Sequence, residues 1–255
     1  MLTGARPFFF RLTFGLPMSE SPARLPRAVL WDLDGTLADS RDQHWRAWRD
    51  AMAAAGRSLT AEQFAATFGQ RNDRFLRSWL GDDQSEEQLA RFGDEKEARY
   101  RSLIEAEGLE PLPGAASWVR RLNAAGWRQA VASSAPRQNI QAMLRVIGLA
   151  DLLDVFVGAE DVANGKPDPE IFLAAAARLA VAPSRCIVVE DAAVGIEAAN
   201  RAGMAAIGVG LGPGVAADVV VPTLADLTDD AFEKLGATLR FTSVDVARGL
   251  QTPRL

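Results

Sequence analysis

Apolar residues along this chain follow two periods, and the change between them divides the sequence. Arg27–Trp31 is a short apolar run between Pro26 and an acidic stretch, which predicts a fully buried strand. From about Ser40 to Glu107 the pattern is helical. DQHWRAWRDAMAAAG places Trp45, Trp48, Met52 and Ala55 three or four residues apart and stops at Gly56. Thr60 is placed to cap a second helix, AEQFAATF, with Glu62 and Gln63 in its first turn. NDRFLRSWLG predicts a third helix ending at Gly81, and Ser85 caps a long fourth from Glu86 to about Glu107.

Beyond PLPG at 111–114, strands and helices alternate. Ala115–Ala125 is helical, WRQAVAS is a strand ending at Ser133, and Pro136 opens a helix that stops at Gly148. Phe156–Val157 is a short strand, and DPEIFLAAAARLA is a helix running up to Pro183. CIVVE is a strand, Ala192–Arg201 a helix, and AAIGVG and DVVV are the last strands. Strands separated by helices of this length predict a mostly parallel sheet covered on both faces. The expected architecture is therefore a Rossmann-like α/β core, residues 27–40 and 109–230, with an inserted all-helical, four-helix unit at 41–108. Residues 1–26 form an atypical N-terminal extension, and 231–255 a C-terminal helix and tail.

Composition narrows the options. With 255 residues, 48% apolar and 24% charged, the chain fits a soluble globular protein. A net charge of −5 without a Lys/Arg-rich stretch argues against a nucleic-acid binder. PFFFRLTFGLPM near the start is interrupted by Arg11 and is far short of a membrane span. A cytoplasmic protein without a membrane partner is expected, monomeric by default. A single cysteine, Cys186, excludes an internal disulfide, and with the single histidine, His44, it excludes a clustered Cys/His zinc site. Cys186 opens an apolar run and reads as a core residue.

The chemistry gathers where strands are predicted to end. VLWDLDGTLADS at 29–40 runs a buried strand into Asp32 and Asp34. Ser133-Ser134, the loop before Lys166, and Glu190-Asp191 follow other strands. Ligands of parallel sheets bind outside the carboxyl ends of the strands, so these sets predict one site. In extended geometry Asp32 and Asp34 would point to one side, where their charges repel unless a cation intervenes. Mg²⁺ takes oxygen ligands and keeps several waters. The candidate metal set is Asp32, Asp34 (through a nearby main-chain carbonyl), Asp191 and Glu190. Glu190 has three readings: it orients Lys166, orients a metal-bound water, or simply closes its strand.

A metal beside a lysine and exposed amides favours phosphate chemistry. Lys166 can meet phosphate oxygens as a point charge, while Thr36, Ser133 and Ser134 offer hydroxyls and amides. Asp32 as nucleophile and Asp34 as general acid and base is the economical assignment. Each feature also has a plainer reading: a surface lysine, a helix-capping serine, or a metal site without catalysis. Asp39 is assigned to a turn or to the cap of the next helix.

Taken together, DLDGT at 32–36, VASSA at 131–135, GKPDPEIF at 165–172 and VVEDAAVGIEAANRAG at 188–203 resemble the four motifs of the haloacid-dehalogenase superfamily. The resemblance implies a phosphoaspartate on Asp32, acid/base work by Asp34, a phosphoryl grip by Ser133 and Lys166, and Mg²⁺ completed by Asp191. The inserted helices resemble that superfamily's cap. DLDGTLADSRDQHWRAW looks most like the beta-phosphoglucomutase-like branch, which would make His44 a residue coupling cap closure to acid/base action and Ser40 a hinge. In the mutases a cap arginine holds the distal phosphate. Aligned on Gly69, Asn72 stands in that place, with Arg71 and Arg74 beside it and Lys96 as a second cap contact. Phe68 and Trp79 are further cap candidates, equally readable as packing. Loss of the arginine favours an Mg²⁺-dependent phosphatase acting on a small, sugar-type phosphate over the alternative, a hexose-1-phosphate mutase. A binding protein without turnover is the third reading.

Overall fold

In the computed structural model, residues 27–67, 71–81 and 84–238 are described. The expected extension at 1–26, the tail from 239 onward, and Phe68 and Gly69 lie outside them. Six strands form one sheet: β1 Ala28–Trp31, β2 Arg128–Ala132, β3 Val155–Val157, β4 Cys186–Glu190, β5 Ala205–Val209 and β6 Val219–Val221. Their order is β3-β2-β1-β4-β5-β6, and every pairing is parallel. The sequence therefore predicts the α/β class correctly, with strand ends within about a residue or two.

The two-residue period of the strands sorts side chains onto two apolar layers. Ala28, Leu30, Ala130, Cys186 and Val188 face α7 Glu170–Arg178 and α8 Ala193–Arg201, whose Phe172, Ala175 and Ile196 fill that side. Val29, Trp31, Val131, Ile187 and Val189 face the opposite layer, built by α5 Ala115–Ala124, α6 Arg137–Val146 and α9 Ala231–Thr238. Trp118, Ile140, Met143 and Phe232 fill this second layer. Cys186 is a core residue as expected, and burial pushes its thiol up to about 12.

Between β1 and α5 lie only helices among the described residues: α1 Arg41–Ala54, α2 Ala61–Thr67, α3 Asn72–Leu80 and α4 Glu86–Glu107. Thr60 and Ser85 open α2 and α4 with reciprocal bonds to Gln63 and Gln88, the capping-box arrangement that satisfies otherwise orphaned amides. These helices share their own apolar cluster, in which Trp48 stacks on Phe75 at 4.0 Å and Phe75 on Trp79 at 5.9 Å. Trp79 is thus half-buried packing as well as a cap side chain. Ala55, expected on the apolar stripe, is exposed because α1 ends one residue earlier, and Ala51 is buried instead. The insertion is rooted in the main core through Ala47, Tyr100 and Ile104. No helix among the described residues is long and apolar enough to cross a membrane.

Leu30 is fully buried in the central strand, whereas Leu173 on α7 is 39% exposed. Leu30→Ala is expected to destabilise by roughly 2–5 kcal/mol and Leu173→Ala by less than about 0.5 kcal/mol. Denaturant unfolding measures both, and equal losses would contradict this assignment of the core.

Candidate active site

Register places the chemistry. Trp31 pairs with Val131 on one side and Val189 on the other, so Asp32, Ser133 and Glu190-Asp191 leave three adjacent strands at one sheet edge. The Asp32 amide still donates to Val189 O at 2.9 Å, extending the ladder by one bond and holding the carboxylate nearly buried. Lys166 reaches in from the turn before α7. Its Nζ donates to Asp32 Oδ1 at 2.6 Å and to Glu190 Oε2 at 2.7 Å, with the Phe172 ring 5.0 Å away.

Two glycines make room for this cluster. Gly35 has φ +94°, and a Cβ there would collide with the Asp191 carboxylate. A Cβ on Gly195 would overlap the Glu190 carboxyl group, so α8 can pass over Glu190 only without a side chain at that position. Glu190 Oε1 accepts from the Ala192 amide at 3.0 Å, and Thr36 donates a long 3.4 Å bond to Asp191 Oδ1. Asp32, Glu190 and Asp191 each offer an oxygen within 4.8 Å of the others. A cavity of about 270 Å³, lined by Gly35, Thr36, Asp39, Arg41 and other residues, opens beside Asp191.

These carboxylates are held against their preference for water. Burial, with the Asp191 charge adding to it and Lys166 opposing, pushes Asp32 up to about 6. Burial and the neighbouring carboxylates also push Glu190 and Asp191 upward. A divalent cation among three oxygen donors reverses that preference by stabilising all the charges together, so the donor set fits a hard ion. For Lys166 burial acts downward, but Asp32 and Glu190 outweigh it and keep the ammonium protonated.

Asp34 belongs to a different set of partners. The chain leaves strand geometry after Trp31 and turns at Gly35, so the Asp34 carboxylate takes its bonds outside the three-acid cluster. The Asp34 Oδ1 accepts from Ser40 Oγ and lies 3.2 Å from His44 Nε2. His44 Nδ1 is 2.7 Å from Lys96 Nζ, and the imidazole stacks on Tyr100 at 3.9 Å. An ammonium only donates, so a protonated Lys96 makes Nδ1 the acceptor and Nε2–H the donor to Asp34. Burial pushes Asp34 up, but the bonds from His44 and Ser40 outweigh it and hold the carboxyl below its usual range.

The other expected site residues have these contacts. The carboxylate of Asp34 is not part of the three-acid cluster, because Ser40 and His44 take it. The Thr36 hydroxyl donates to Asp191 Oδ1 at 3.4 Å and its amide to Leu33 O at 3.3 Å. Arg71 donates to Val162 O at 3.3 Å and pairs with Asp73, while Asn72 donates to Glu97 at 2.8 Å. Lys96, expected as a second cap contact to the distal group of the substrate, is 2% exposed and bonded to Glu97 at 2.9 Å. Of the readings for Glu190, the bond to Lys166 favours the orienting one. Ser133 Oγ accepts from the Ala135 amide at 3.1 Å, with Ser134 half-buried beside it, and Asp39 accepts from the Arg41 amide at 3.2 Å.

Glu97, Tyr100, Asn139 and Gly195 join the site without having been singled out from the sequence. Glu97 sits in DEKEARY, which reads as a solvated charged face. The missed signal is spacing: Leu89, Gly93, Lys96, Glu97, Tyr100 and Ile104 recur at three- and four-residue steps and are all buried.

An acidic cluster, a bridging lysine and a helical insertion after the first strand of a parallel sheet define a haloacid dehalogenase-like hydrolase. The chain belongs to that family, whose sequence profile matches residues 26–203. It is 34% identical over 219 residues to beta-phosphoglucomutase of Bacillus subtilis, covering 79% of this chain and 92% of that one. It is 32% identical over 186 residues to a fructose-1-phosphate phosphatase of Escherichia coli, covering 72% and 96%. The crystal structure of beta-phosphoglucomutase from Clostridium difficile superposes with a TM-score of 0.75 at 29% identity, covering 84% and 98%. The protein is accordingly an enzyme of the phosphatase or phosphomutase type.

Gly195 yields a sign test. Alanine in place of a helical glycine ordinarily stabilises by roughly 0.5–1 kcal/mol. Gly195→Ala is instead expected to destabilise by about 1–3 kcal/mol, because its Cβ must displace buried Glu190. Unfolding curves showing an unchanged or stabilised variant would contradict the close approach.

Proposed function

We propose that the protein is an Mg²⁺-dependent phosphatase that hydrolyses a small, sugar-type phosphomonoester through an aspartyl-phosphate on Asp32. The observation carrying this reading is the Asp32–Lys166–Glu190 bridge beside Asp191, which gathers a nucleophile, a phosphate-binding cation and metal-type donors in one cluster. Asp32, Asp191 and a main-chain carbonyl near Asp34 would hold the ion, with Glu190 supporting from behind Lys166. When bound, the ion neutralises phosphate charge and lets the carboxylate approach phosphorus.

In this reading an Asp32 oxygen attacks phosphorus, and the ester oxygen departs with a proton from Asp34. Asp34 then takes a proton from water, whose oxygen attacks the aspartyl-phosphate, releasing phosphate and restoring Asp32. Oδ1 of Asp34 is engaged by Ser40 and His44, so its other oxygen is the one to carry the proton. A phosphoryl dianion nearby raises the proton affinity of Asp34, the direction an acid requires. Lys166, Ser133 and Ser134 are assigned to the equatorial oxygens of the transferring group.

The likeness to beta-phosphoglucomutases, and the His44–Lys96 contact to Asp34, keep a hexose-1-phosphate mutase as the second reading. The purified protein with Mg²⁺ and a panel of sugar phosphates distinguishes them. Phosphate release without isomer interconversion is expected. Bisphosphate-primed isomerisation with little phosphate released would refute hydrolysis as the main reaction.

Asp32→Asn is expected to lower kcat by at least ~10³-fold while leaving the fold intact, as loss of a nucleophile does. Near-normal turnover would remove Asp32 from that role. Chelation by EDTA should abolish phosphate release, and added Mg²⁺ should restore it. Full activity in excess EDTA would rule out the ion.

A further inference from the structure

The loop that carries Lys166 is gripped from two sides. On one side, Glu170 at the start of α7 accepts from the Ala163 amide at 3.0 Å and from the Asn164 amide at 2.9 Å. Its own amide donates to Asp168 Oδ1 at 3.0 Å, and the Asp168 amide donates to Gly165 O at 3.1 Å. On the other side stands Arg71, which opens α3 of the insertion. Its Nη1 donates to Val162 O at 3.3 Å and lies 3.5 Å from Ala163 O. The aliphatic stem of Arg71 passes over Gly165, where a Cβ would come within 2.9 Å of Cδ.

Every residue from Val162 to Gly165 is thus engaged, and Lys166 follows directly. The ammonium is held by Asp32 and Glu190. The main chain it hangs from is held separately, by α7 on one face and by the insertion on the other. Carbonyl oxygens attract a guanidinium without neutralising it. Asp73, 3.4 Å from Arg71 Nε, supplies the counter-charge from within α3.

We propose that Arg71 is a positioning residue for Lys166: from the inserted helices it clamps the 162–165 loop and so sets the lysine opposite Asp32. The insertion then contributes to the phosphate grip without touching the phosphate. A reacting group displaced by about an ångström loses much of its effect, so a clamp on the loop matters beyond its own hydrogen bonds. Gly165 belongs to the same device, since a side chain there would lift the Arg71 stem off the loop. That Lys166 meets a phosphoryl group rests on the hydrolase reading; that Arg71 holds the loop of the lysine does not.

Hydrogen exchange of the 162–168 segment, followed by mass spectrometry in the full chain, tests the clamp without turnover. Arg71→Ala is expected to speed exchange there roughly 5-fold or more, the worth of one ordinary hydrogen bond, while β1 and β4 exchange as before. Arg71→Lys keeps a donor for the carbonyls and should restore most of the protection. Gly165→Ala should speed exchange by itself and add little to Arg71→Ala, where its Cβ has nothing to displace. Calorimetric titration with inorganic phosphate and Mg²⁺ reads the consequence at the lysine. Arg71→Ala should bind at least ~5-fold more weakly, and Arg71→Lys close to the unaltered protein. Unchanged exchange in Arg71→Ala would overturn the inference, as would faster exchange with unchanged phosphate affinity. If Arg71→Ala fails to fold, Gly165→Ala decides by the same two readings. Absence of phosphate binding to the unaltered protein would count against the hydrolase reading, and the exchange result would still decide the clamp.

Discussion

One ammonium group between two buried carboxylates governs this site. Lys166 satisfies Asp32 and Glu190 at once, yet Asp191 stands within the same cluster, and burial drives the proton affinities of all three acids upward. The fold accepts that cost by removing side chains where they would intrude. Gly35 and Gly195 admit Asp191 and Glu190 to positions that any Cβ would close. A cluster short of positive charge, built on the central strands of the sheet, has a donor set that fits a hard cation.

A second polar layer begins two residues later. Leu33 points into the core between the two aspartates, and the turn at Gly35 sends Asp34 toward Ser40 and His44. From there contacts run through Lys96 and Glu97 to Asn139 on the core. The inserted helices therefore touch the chemistry at Asp34, while the sheet holds Asp32. Separating the two acids in this way shifts their proton affinities in opposite directions, which suits the proposed pairing of a nucleophile with an acid/base group.

Much of this was readable in the sequence, for physical reasons. Apolar runs ending in acids or serines locate the strand ends, because backbone pairing and burial are local consequences of pattern. Capping residues Thr60 and Ser85 and stop signals such as Gly56 and Gly81 bounded individual helices of the insertion closely. Spacing could not show which way a side chain turns once the strand has ended. The orientations of Asp34 and Thr36 were not legible for that reason, since one is set by a turn and the other by a partner 155 residues along the chain. Glu97 escaped for a related reason. A charged residue among charged neighbours looks solvated until the helix face is aligned with Leu89, Tyr100 and Ile104. Its partner Asn139 is 42 residues away on another element.

The two buried lysines show how the same residue type is given different work. Burial lowers the proton affinity of each. At Lys166 two carboxylates, Asp32 and Glu190, reverse that effect and the shift is upward. At Lys96 Glu97 is the one carboxylate in direct contact, Asp34 adds to it from farther away, Arg101 opposes them, and burial keeps the shift downward. Lys166 is thereby kept as a cation between Asp32 and Glu190. Lys96 is weaker as a cation and acts chiefly by orientation, donating to His44 and so fixing which imidazole nitrogen faces Asp34. At equal burial, the two carboxylates touching Lys166 against the one touching Lys96 account for the opposite directions of their shifts.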